Sequence, residues 1–441
     1  MVNIYKAKPK ASLLGKALTF SIDKADYEVH GISRQADKIA FVSAALPGEQ
    51  VQAKITEDKA GFIKATTIKV LKASPLRVTP PCQFAKLCGG CQLQHLAPQA
   101  QRELKQQGID ELIRHQTGLQ LLPWHPMLSA EDSGYRRRAR IGIWYDKKLR
   151  RFSIGFRQQA DKQIVAVTHC MVLSAALTPV FDVLNKVLPQ LNDANAVTHA
   201  EVLQTDETAF VILRHVKALT VAEQQLFVAA WPEAVWLGEA EPGQFSYWQQ
   251  PRIAQYQLPV QQLTLQFSPD DFIQVNAELN QQMVTQALSW MNVTPADSVL
   301  DLYSGIGNFT LALAQRAKKV HALEGVAKMV QQLATNAKLN GLSNIDVSQA
   351  DLHLPWPKGG WNLPQYSKVL LDPARAGAMG AVEQIVKLKP AQILYVSCNA
   401  ATFARDAKVL LQQGYKLEKI GGVDMFPHTS HLELMALFSK Q

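Results

Sequence analysis

Short apolar runs in the last third of the chain end abruptly in polar residues. Residues 369–371 are followed by Asp372, and residues 393–396 are followed by Ser397 and Cys398. Buried parallel strands have this apolar, β-branched composition, and their carboxyl ends line the ligand crevice of an open α/β sheet. The pattern therefore predicts a doubly wound sheet with Asp372 and Cys398 at its rim.

Upstream of these runs, a glycine turn stands between a predicted strand and a predicted helix. The strand covers residues 297–302, and the glycines Gly305 and Gly307 that follow it allow the backbone to approach a ligand closely. The third glycine of the dinucleotide fingerprint is missing, so NAD is a poor fit. A second strand ends in Glu324, whose carboxylate could bind ribose hydroxyls, although strand-end acids are also common without a ligand. Asp351 follows a third strand and could reach an adenine, so the layout predicts a Rossmann-like methyltransferase domain that uses S-adenosylmethionine.

Two runs near the middle of the chain predict a β-hairpin with a basic face. They cover residues 134–145 and 149–157, and seven arginines lie within residues 136–157 with almost no compensating acid. Backbone phosphates attract such a face, while arginine planes and aromatic rings stack on unpaired bases. A solvated charge run is the alternative explanation. The candidate RNA-binding residues of this hairpin are Arg136, Arg137, Arg138 and Arg140.

Short β-type runs also fill the first 75 residues. They cover residues 17–22, 39–42, 51–55 and 62–68. Strands this short and this close together predict a small five-stranded barrel, a fold that often holds single-stranded nucleic acid. The stretch from Phe41 to Glu49 resembles a TRAM domain, the RNA-binding barrel of several RNA-modifying enzymes. A barrel that only carries solvated lysines is the alternative.

Four cysteines form a set whose spacing suits metal binding. Three of them are local, with two glycines between the last two that let the loop fold around one centre, and the fourth is remote. Four thiolates can hold zinc or an iron–sulfur cluster, and the remote ligand weakly favours a [4Fe-4S] cluster over the paired arrangement of zinc sites. Zinc stays open, and unrelated buried cysteines rarely give this spacing. The set is Cys82, Cys88, Cys91 and Cys170.

The composition indicates a cellular compartment and a class of binding partner. The chain has 441 residues and a net charge of +9, a surplus that suggests a polyanionic partner. Its five cysteines, together with the lack of an export signal in the sequence, indicate a reducing cytoplasm. We predict three domains: residues 1–75, the barrel; residues 76–268, an α/β domain with the cysteine set and the basic hairpin; and residues 269–441, the methyltransferase domain.

Five motifs resemble those of the RNA uracil-5-methyltransferase family. Their order matches from Phe272 to the C-terminus, and the barrel and the cysteine set extend the likeness over nearly the whole chain. Within the family, these two features point to members that act on 23S ribosomal RNA. One departure is Ser304, where many relatives carry a cysteine that is not the nucleophile. The motifs cover residues 272–276, 301–309, 371–377, 396–399 and 424–429.

The resemblance implies a reaction and a set of residues. Cys398 is implied as the nucleophile that adds to C6 of a uracil, and Glu433 as the base that removes the proton from C5. Phe272 is a candidate for stacking on a base that has left its helical stack. The four cysteines are implied as ligands of a [4Fe-4S] cluster. The implied S-adenosylmethionine residues are Gln274, Tyr303, Asn308, Glu324, Asp351 and Asp372, with Gln274 and Asp372 near the target base.

Cys398 taken alone has a less specific explanation, because most free cysteines are small buried hydrophobes. A nucleophilic cysteine needs surroundings that favour its thiolate, and the N-terminus of the helix predicted after Cys398 is one source. Two other functions stay open: methylation of another ribosomal or transfer RNA uridine, and a non-catalytic role in RNA binding and assembly. We expect a monomer that acts on free or early-assembly ribosomal RNA.

Overall fold

The computed structural model describes residues 12–35, 38–159, 161–356 and 365–441. The chain forms two compact units: the residues through Pro81 with Gln92–Ile109, and Cys82–Cys91 with Asp110–Gln441. Helix α1 (Pro98–Thr117) begins in the first unit and ends in the second. Within the described ranges, no helix combines the length and the apolar character needed to cross a lipid bilayer.

The first unit, as far as it is described, is built on a six-stranded sheet. Its strands are β1 (Ala17–Ser21), β2 (Lys24–Ala25), β3 (Gly31–Gln35), β4 (Lys38–Ser43), β5 (Gln50–Asp58) and β6 (Phe62–Lys72). They follow the order β1-β5-β6-β4-β3-β2, with β4 and β6 parallel. Alternate side chains on β5 are buried and cover a core that includes Phe20 and Val42. The expected number of five strands was one too low, because β2 has two residues and offers no alternation to detect.

The second unit contains a mixed sheet whose described strands number seven. They are β7 (Arg138–Asp146), β8 (Arg151–Arg157), β9 (Ile164–Ala166), β10 (Val197–Gln204), β11 (Ala209–His215), β12 (Val235–Glu239) and β13 (Phe245–Tyr247), in the order β13-β12-β11-β10-β7-β8-β9. The antiparallel pair β7–β8 confirms the predicted hairpin. Helices α2 (Pro179–Val187) and α3 (Val221–Ala230) contribute Phe181 and Phe227 to its core. Helix α3 begins at Val221 because Thr220 and Glu223 form a capping box.

A two-stranded ribbon and a long helix precede the C-terminal sheet of the same unit. The ribbon is β14 (Ala254–Leu258) with β15 (Leu263–Phe267), and the helix is α4 (Ala277–Met291). The N-cap residue Asn276 accepts a hydrogen bond from the backbone N–H of Leu279, which explains why α4 begins there.

The C-terminal sheet alternates with helices and confirms the doubly wound prediction. Its elements are β16 (Ser298–Leu302), α5 (Thr310–Ala314), β17 (Lys319–Glu324), α6 (Ala327–Leu339), β18 (Ile345–Gln349), β19 (Lys368–Leu371), α7 (Met379–Leu388), β20 (Gln392–Ser397), α8 (Ala400–Gln412), β21 (Tyr415–Val423) and β22 (Glu433–Lys440). The strand order among the described residues is β18-β17-β16-β19-β20-β22-β21, and β22 is antiparallel to both of its neighbours. The order reverses beside β16, where open α/β sheets bind ligands.

Candidate active site

A cavity of about 510 Å³ lies at the carboxyl ends of β16, β19 and β20. Its walls bring together every residue predicted for catalysis and for the cofactor except Asp351, and they include Phe272 as well. Asp351 lies close enough to Tyr303 to affect the pKa of its hydroxyl. The predicted residues in the walls are Phe272, Gln274, Tyr303, Asn308, Glu324, Asp372, Cys398 and Glu433.

Cys398 is half-buried between the end of β20 and the start of α8. Burial raises the pKa of its thiol, the nearby carboxyl groups of Glu433 and Asp372 raise it further, and Arg375 lowers it. The expectation of a thiolate stabilised by the helix N-terminus is therefore not met in the protein alone. One reason is that the side chain of Asn399 already accepts from the first free N–H groups of α8, at 3.0 and 3.1 Å.

Burial favours the neutral form of two carboxyl groups beside the thiol. Burial raises the pKa of Glu433 to about 8, with a further contribution from Asp372. Burial also raises the pKa of Asp372 to about 7. Glu433 is only 6% exposed, and its Oε2 has no hydrogen-bond partner within the described ranges. The cavity therefore contains a thiol next to two acids that can exchange protons near neutral pH.

The glycine turn after β16 is shaped by backbone strain and by Glu324. Tyr303 takes the left-handed conformation, with a φ of 62°, and Gly307 has a φ of 103°. The carboxylate of Glu324 accepts hydrogen bonds from the backbone of Gly305 at 3.0 Å and of Val326 at 2.9 Å. Glu324, which was predicted to bind a ribose, therefore holds the glycine turn after β16 in place.

Two polar atoms in the cavity walls are buried without partners among the described residues. They are the hydroxyl of Tyr303 and Oε1 of Gln274. Burial raises the pKa of Tyr303 to about 12, so its hydroxyl stays a donor. Asn308 is held in place by the hydroxyl of Tyr256 at 2.9 Å and by Asn280 at 3.0 Å. Orphaned donors and acceptors in a preformed cavity indicate a polar ligand that completes them.

Two titratable side chains interact with predicted site residues but were not themselves predicted. Arg375 lies in the cavity wall three residues after Asp372, and its Nη2 is 3.3 Å from Nε2 of His431. Asp301 is fully buried on β16, and burial raises its pKa to about 7, with Asp372 and Glu324 contributing. The signal for Asp301 was present, since an acid stands inside an otherwise apolar strand.

The arginines of the basic hairpin have different surroundings. Arg137 is only 6% exposed, donates from Nε to the backbone oxygen of Gln274 at 2.8 Å, and stacks on the ring of Tyr256 at 4.6 Å. It therefore supports the backbone next to the cavity from inside and does not lie on the exposed face of the hairpin. Arg138 donates to the backbone of Asp271 and pairs with Glu201 at 3.1 Å.

Other side chains of the same hairpin face solvent. Arg140 is exposed. Trp144 lies on the same face of β7, four residues further along the strand, and is 63% exposed. Arg136 is half-buried and donates to the backbone oxygen of Arg138 at 2.9 Å. The exposed face is thus centred on Arg140 and Trp144.

The four predicted metal-ligand cysteines are half-buried. Burial raises the pKa of Cys88, and Cys170 and Cys82 raise it further; burial also raises the pKa of Cys170, to which Cys82 contributes. These mutual effects require the remote Cys170 to lie beside the loop that carries Cys82 and Cys88. The backbone of Gly89 anchors that loop to Arg157 at 2.9 Å.

One short segment connects the cysteines to the cavity. The backbone of Gly134 donates to Met171 at 2.8 Å, next to Cys170, and the hydroxyl of Tyr135 donates to the backbone oxygen of Pro427 at 3.1 Å. The backbone of Arg137 donates to Val275 at 2.9 Å. The cysteine segment and two parts of the cavity wall therefore depend on the same four residues, 134–137.

Comparison with known proteins adds a family to this geometry. The family model described as tRNA (Uracil-5-)-methyltransferase matches residues 100–352 and 360–441. A protein described as 23S rRNA (uracil(1939)-C(5))-methyltransferase RlmD, from Vibrio cholerae serotype O1 (strain M66-2), is 42% identical over 446 residues, with 100% of both chains covered. A protein of the same description from Photorhabdus laumondii is 43% identical over 431 residues, with 96% of each chain covered.

A solved structure with the same fold supports the architecture. The tRNA (uracil-54, C5)-methyltransferase of Pyrococcus abyssi, in complex with S-adenosyl-L-homocysteine, matches with a TM-score of 0.72 and 23% identity. The match covers 96% of this chain and 100% of the other. At this identity the likeness shows the fold, which is a mixed α/β methyltransferase fold with a Rossmann-like domain.

Proposed function

This chain belongs to the uracil-5-methyltransferase family, and from that premise we propose that it methylates C5 of one uridine in 23S ribosomal RNA, uracil 1939 in its relatives. The observation that carries the proposal is the half-buried Cys398 beside the carboxyl groups of Asp372 and Glu433 in a preformed cavity. A thiol in that position is suited to attack on an electron-poor ring, not to packing alone.

S-adenosylmethionine fits the cavity by its size, its glycine turn and its orphaned polar atoms. When bound, it supplies the methyl group. Glu324 would accept from the ribose hydroxyls, and the hydroxyl of Tyr303 and the amide of Gln274 would complete their hydrogen bonds with the cofactor or the base. The proposed cofactor residues are Gln274, Tyr303, Asn308, Glu324, Asp351 and Asp372.

The chemistry of uracil explains why a thiol and a carboxylate are needed together. C5 of uracil is too weak a nucleophile to be methylated unaided. The thiolate of Cys398 forms a bond to C6, and the displaced electron pair makes C5 an enolate-like carbon that takes the methyl group. Because the pKa of Glu433 is about 8, a fraction of the molecules carry it as a carboxylate near neutral pH. That carboxylate removes the C5 proton, and the bond between C6 and sulfur breaks. Arg375 lowers the pKa of the Cys398 thiol, and protonation of Glu433 and Asp372 removes the negative charges that otherwise raise it.

The target base must leave its stack to reach Cys398. Phe272 is 66% exposed although it lies at the cavity mouth, a costly position for a phenyl ring without a partner. We propose that its ring stacks on a base, and that Arg136, Arg138 and Arg140 of the hairpin face hold the RNA backbone.

For the cysteine set we propose a [4Fe-4S] cluster held by Cys82, Cys88, Cys91 and Cys170. Four thiols suit iron–sulfur chemistry, and zinc is the alternative. The reaction requires no electron transfer, so the cluster would serve to hold the residues 134–137 segment in place. Visible absorption with matching iron and sulfide contents in anaerobically purified protein would support the cluster, and stoichiometric zinc without absorption would contradict it.

The remaining proposals concern organisation. We propose that residues 1–75 act as a TRAM-like RNA-binding barrel, residues 76–268 as the cluster-bearing domain and residues 269–441 as the methyltransferase domain. The turn at residues 46–49, which carries the TRAM likeness, is tied down by Glu49, which accepts from Leu46 at 2.9 Å and from Arg77 at 2.7 Å. We further propose a cytoplasmic monomer that acts on ribosomal RNA before or early in assembly.

The test is to map the product. Unmodified 23S ribosomal RNA and unmodified transfer RNA are each incubated with the protein and methyl-labelled S-adenosylmethionine, and the methylated position is located by mass spectrometry. We expect 5-methyluridine at uracil 1939 alone. Methylation of transfer RNA or of another uridine would contradict the target, and RNA binding without any transfer would favour the non-catalytic assembly role.

A further inference from the structure

A second cavity, which the reaction above does not use, lies in the same unit. Its volume is about 540 Å³, and its walls come from residues 130–137, 204–206 and 276–278. The two cavities share no wall residue among those described. A volume of this size is typical of sites that bind small molecules or single bases.

Two buried donors in the walls lack partners among the described residues. Nη2 of Arg137 and Nδ2 of Asn276 make no hydrogen bond, and their residues are only 6% and 2% exposed. Their orientation is fixed by their other atoms, because Nε of Arg137 donates to Gln274 and Oδ1 of Asn276 accepts from Leu279 at 3.1 Å. Buried donors are nearly always satisfied in proteins, so these two indicate a ligand that offers acceptors.

The outer part of the same cavity carries acids. Glu131, Asp206 and Glu278 are exposed wall residues. Three carboxylates repel a phosphate or another anion, so the acceptors expected by Arg137 and Asn276 must belong to an uncharged group. The same carboxylates accept hydrogen bonds from N–H donors. The cavity therefore suits a neutral ligand with acceptors on one side and donors on the other.

Among uncharged groups in an RNA, guanine matches this arrangement. It has two adjacent acceptors, N7 and O6, which arginine commonly recognises, and an N1–H and a 2-amino group on the neighbouring edge. Adenine and cytosine each lack one of the two pairs, and uracil has a single N–H. Resting on the proposed function, we propose that this cavity binds a guanine base of the RNA substrate, with Arg137 and Asn276 on its acceptors and the carboxylates on its donors.

The position of the cavity fits a guanosine close to the target uridine. Gln274 lines the catalytic cavity and Asn276 lines the second one, so their Cα atoms are at most about 7 Å apart. One RNA strand can thus place bases in both cavities, with the basic hairpin that begins at Arg138 beside it. Recognition of a second base would help to select one uridine from many.

The test measures RNA binding, not methylation. A fragment of 23S ribosomal RNA around uracil 1939 is synthesised with each guanosine replaced in turn by inosine, which lacks the 2-amino donor. Dissociation constants are measured at fixed salt for the unaltered protein and for the double variant Glu131→Ala/Glu278→Ala. The matched control is Glu383→Ala, which removes one exposed carboxylate of α7 that lines neither cavity.

We expect one inosine position to weaken binding by about tenfold in the unaltered protein and the control. The same substitution should change the affinity of the double variant by less than about twofold. A general effect of lost negative charge would change the dissociation constants of all the RNAs by the same factor. It would therefore cancel in the ratio of the dissociation constants of the inosine-containing and the unaltered RNA. The proposal is overturned if no inosine position matters, if its effect is the same in the double variant, or if the protein does not bind the RNA. If the protein methylates the RNA but the inosine effect does not depend on Glu131 and Glu278, only this proposal is contradicted. If the inosine effect depends on them but no methylation occurs, only the proposed function is contradicted.

Discussion

The five cysteines lie in two regions that look alike when each thiol is described by itself. Cys398 in the catalytic cavity is half-buried, and so are the four thiols of the cysteine set. Burial is the largest cause of a raised pKa for Cys398, for Cys88 and for Cys170. Neither exposure nor the direction of the pKa shift separates a proposed nucleophile from proposed cluster ligands.

The neighbours of the thiols separate the two regions. Cys398 has two carboxyl groups and an arginine beside it, at the end of a strand that opens into a cavity. Cys88 and Cys170 have other thiols beside them. A thiol among acids and a cation is equipped for proton exchange and addition, while thiols close enough to affect one another's pKa suit a shared metal centre. The surroundings of a cysteine therefore indicate its role better than its burial does.

The largest expected effect comes from removing the nucleophile. Cys398→Ala should lower methyl transfer by roughly 10⁴-fold or more, because addition to C6 no longer occurs. Binding of S-adenosylmethionine, measured by calorimetry, should stay within about twofold, since the cofactor residues are untouched. If Cys398→Ala still transfers the methyl group, Cys398 is not the nucleophile, and the proposed difference in role between it and the cysteine set is wrong.

A smaller but more diagnostic effect is expected for the base. Glu433→Gln should lower turnover by about 10²- to 10⁴-fold while a covalent protein–RNA adduct accumulates, because the C5 proton is not removed. Denaturing gel electrophoresis with labelled RNA detects the adduct. Glu383→Gln, an exposed change on α7, serves as the control and should give no adduct. Slow turnover without an adduct would argue against Glu433 as the base.

The neutral state of Glu433 has a consequence for stability. Its pKa is raised from an ordinary value near 4.3 to about 8, so the folded state holds a proton that the unfolded state loses between these pH values. The stability that Glu433 contributes is therefore present below about pH 4.3 and is lost as the pH rises to about 8.

Glu433→Gln cannot lose this stability, because the amide stays neutral. Relative to the unaltered protein, the variant should gain on the order of 1–3 kcal/mol in free energy of unfolding between pH 5 and pH 8.5. Urea unfolding at the two pH values measures the difference. A parallel pH dependence in both proteins would mean that Glu433 is ionised in the fold.

The smallest expected effect comes from the cysteine set. Cys170→Ala should abolish the visible absorption and the iron content of the purified protein. Methyl transfer should fall by roughly 2- to 30-fold, because the change reaches the cavity only through residues 134–137. Affinity for S-adenosylmethionine should weaken in parallel. If Cys170→Ala stays folded but loses methyl transfer as completely as Cys398→Ala, the cysteine set would not have the purely supporting role proposed here.

The sheet and its rim were predictable because apolar runs and chain order encode them directly. The runs that end at Asp372 and Cys398 gave two neighbouring strands, and parallel strands present their carboxyl ends at one edge. The glycine turn was equally visible, since it interrupts an apolar strand before a helix.

Other features depend on contacts between distant residues, which local patterns do not encode. Arg137 stands in a run of arginines, yet it is buried because Gln274 and Tyr256, far away in sequence, pack around it. The neutral state of Asp372 and Glu433 follows from burial that only the assembled sheet creates. The strand β2 is too short to show a pattern at all.

The central claim is that Cys398, and no other thiol, bonds to the target base. It is tested most directly with ribosomal RNA that carries 5-fluorouridine at the target position, because fluorine at C5 cannot be removed as a proton and the covalent adduct persists. After incubation with S-adenosylmethionine, the protein is digested and the RNA-linked peptide is identified by mass spectrometry. We expect the adduct on the peptide that contains Cys398. An adduct on Cys82, Cys88, Cys91 or Cys170, or none in protein that methylates the unmodified RNA, would contradict the claim.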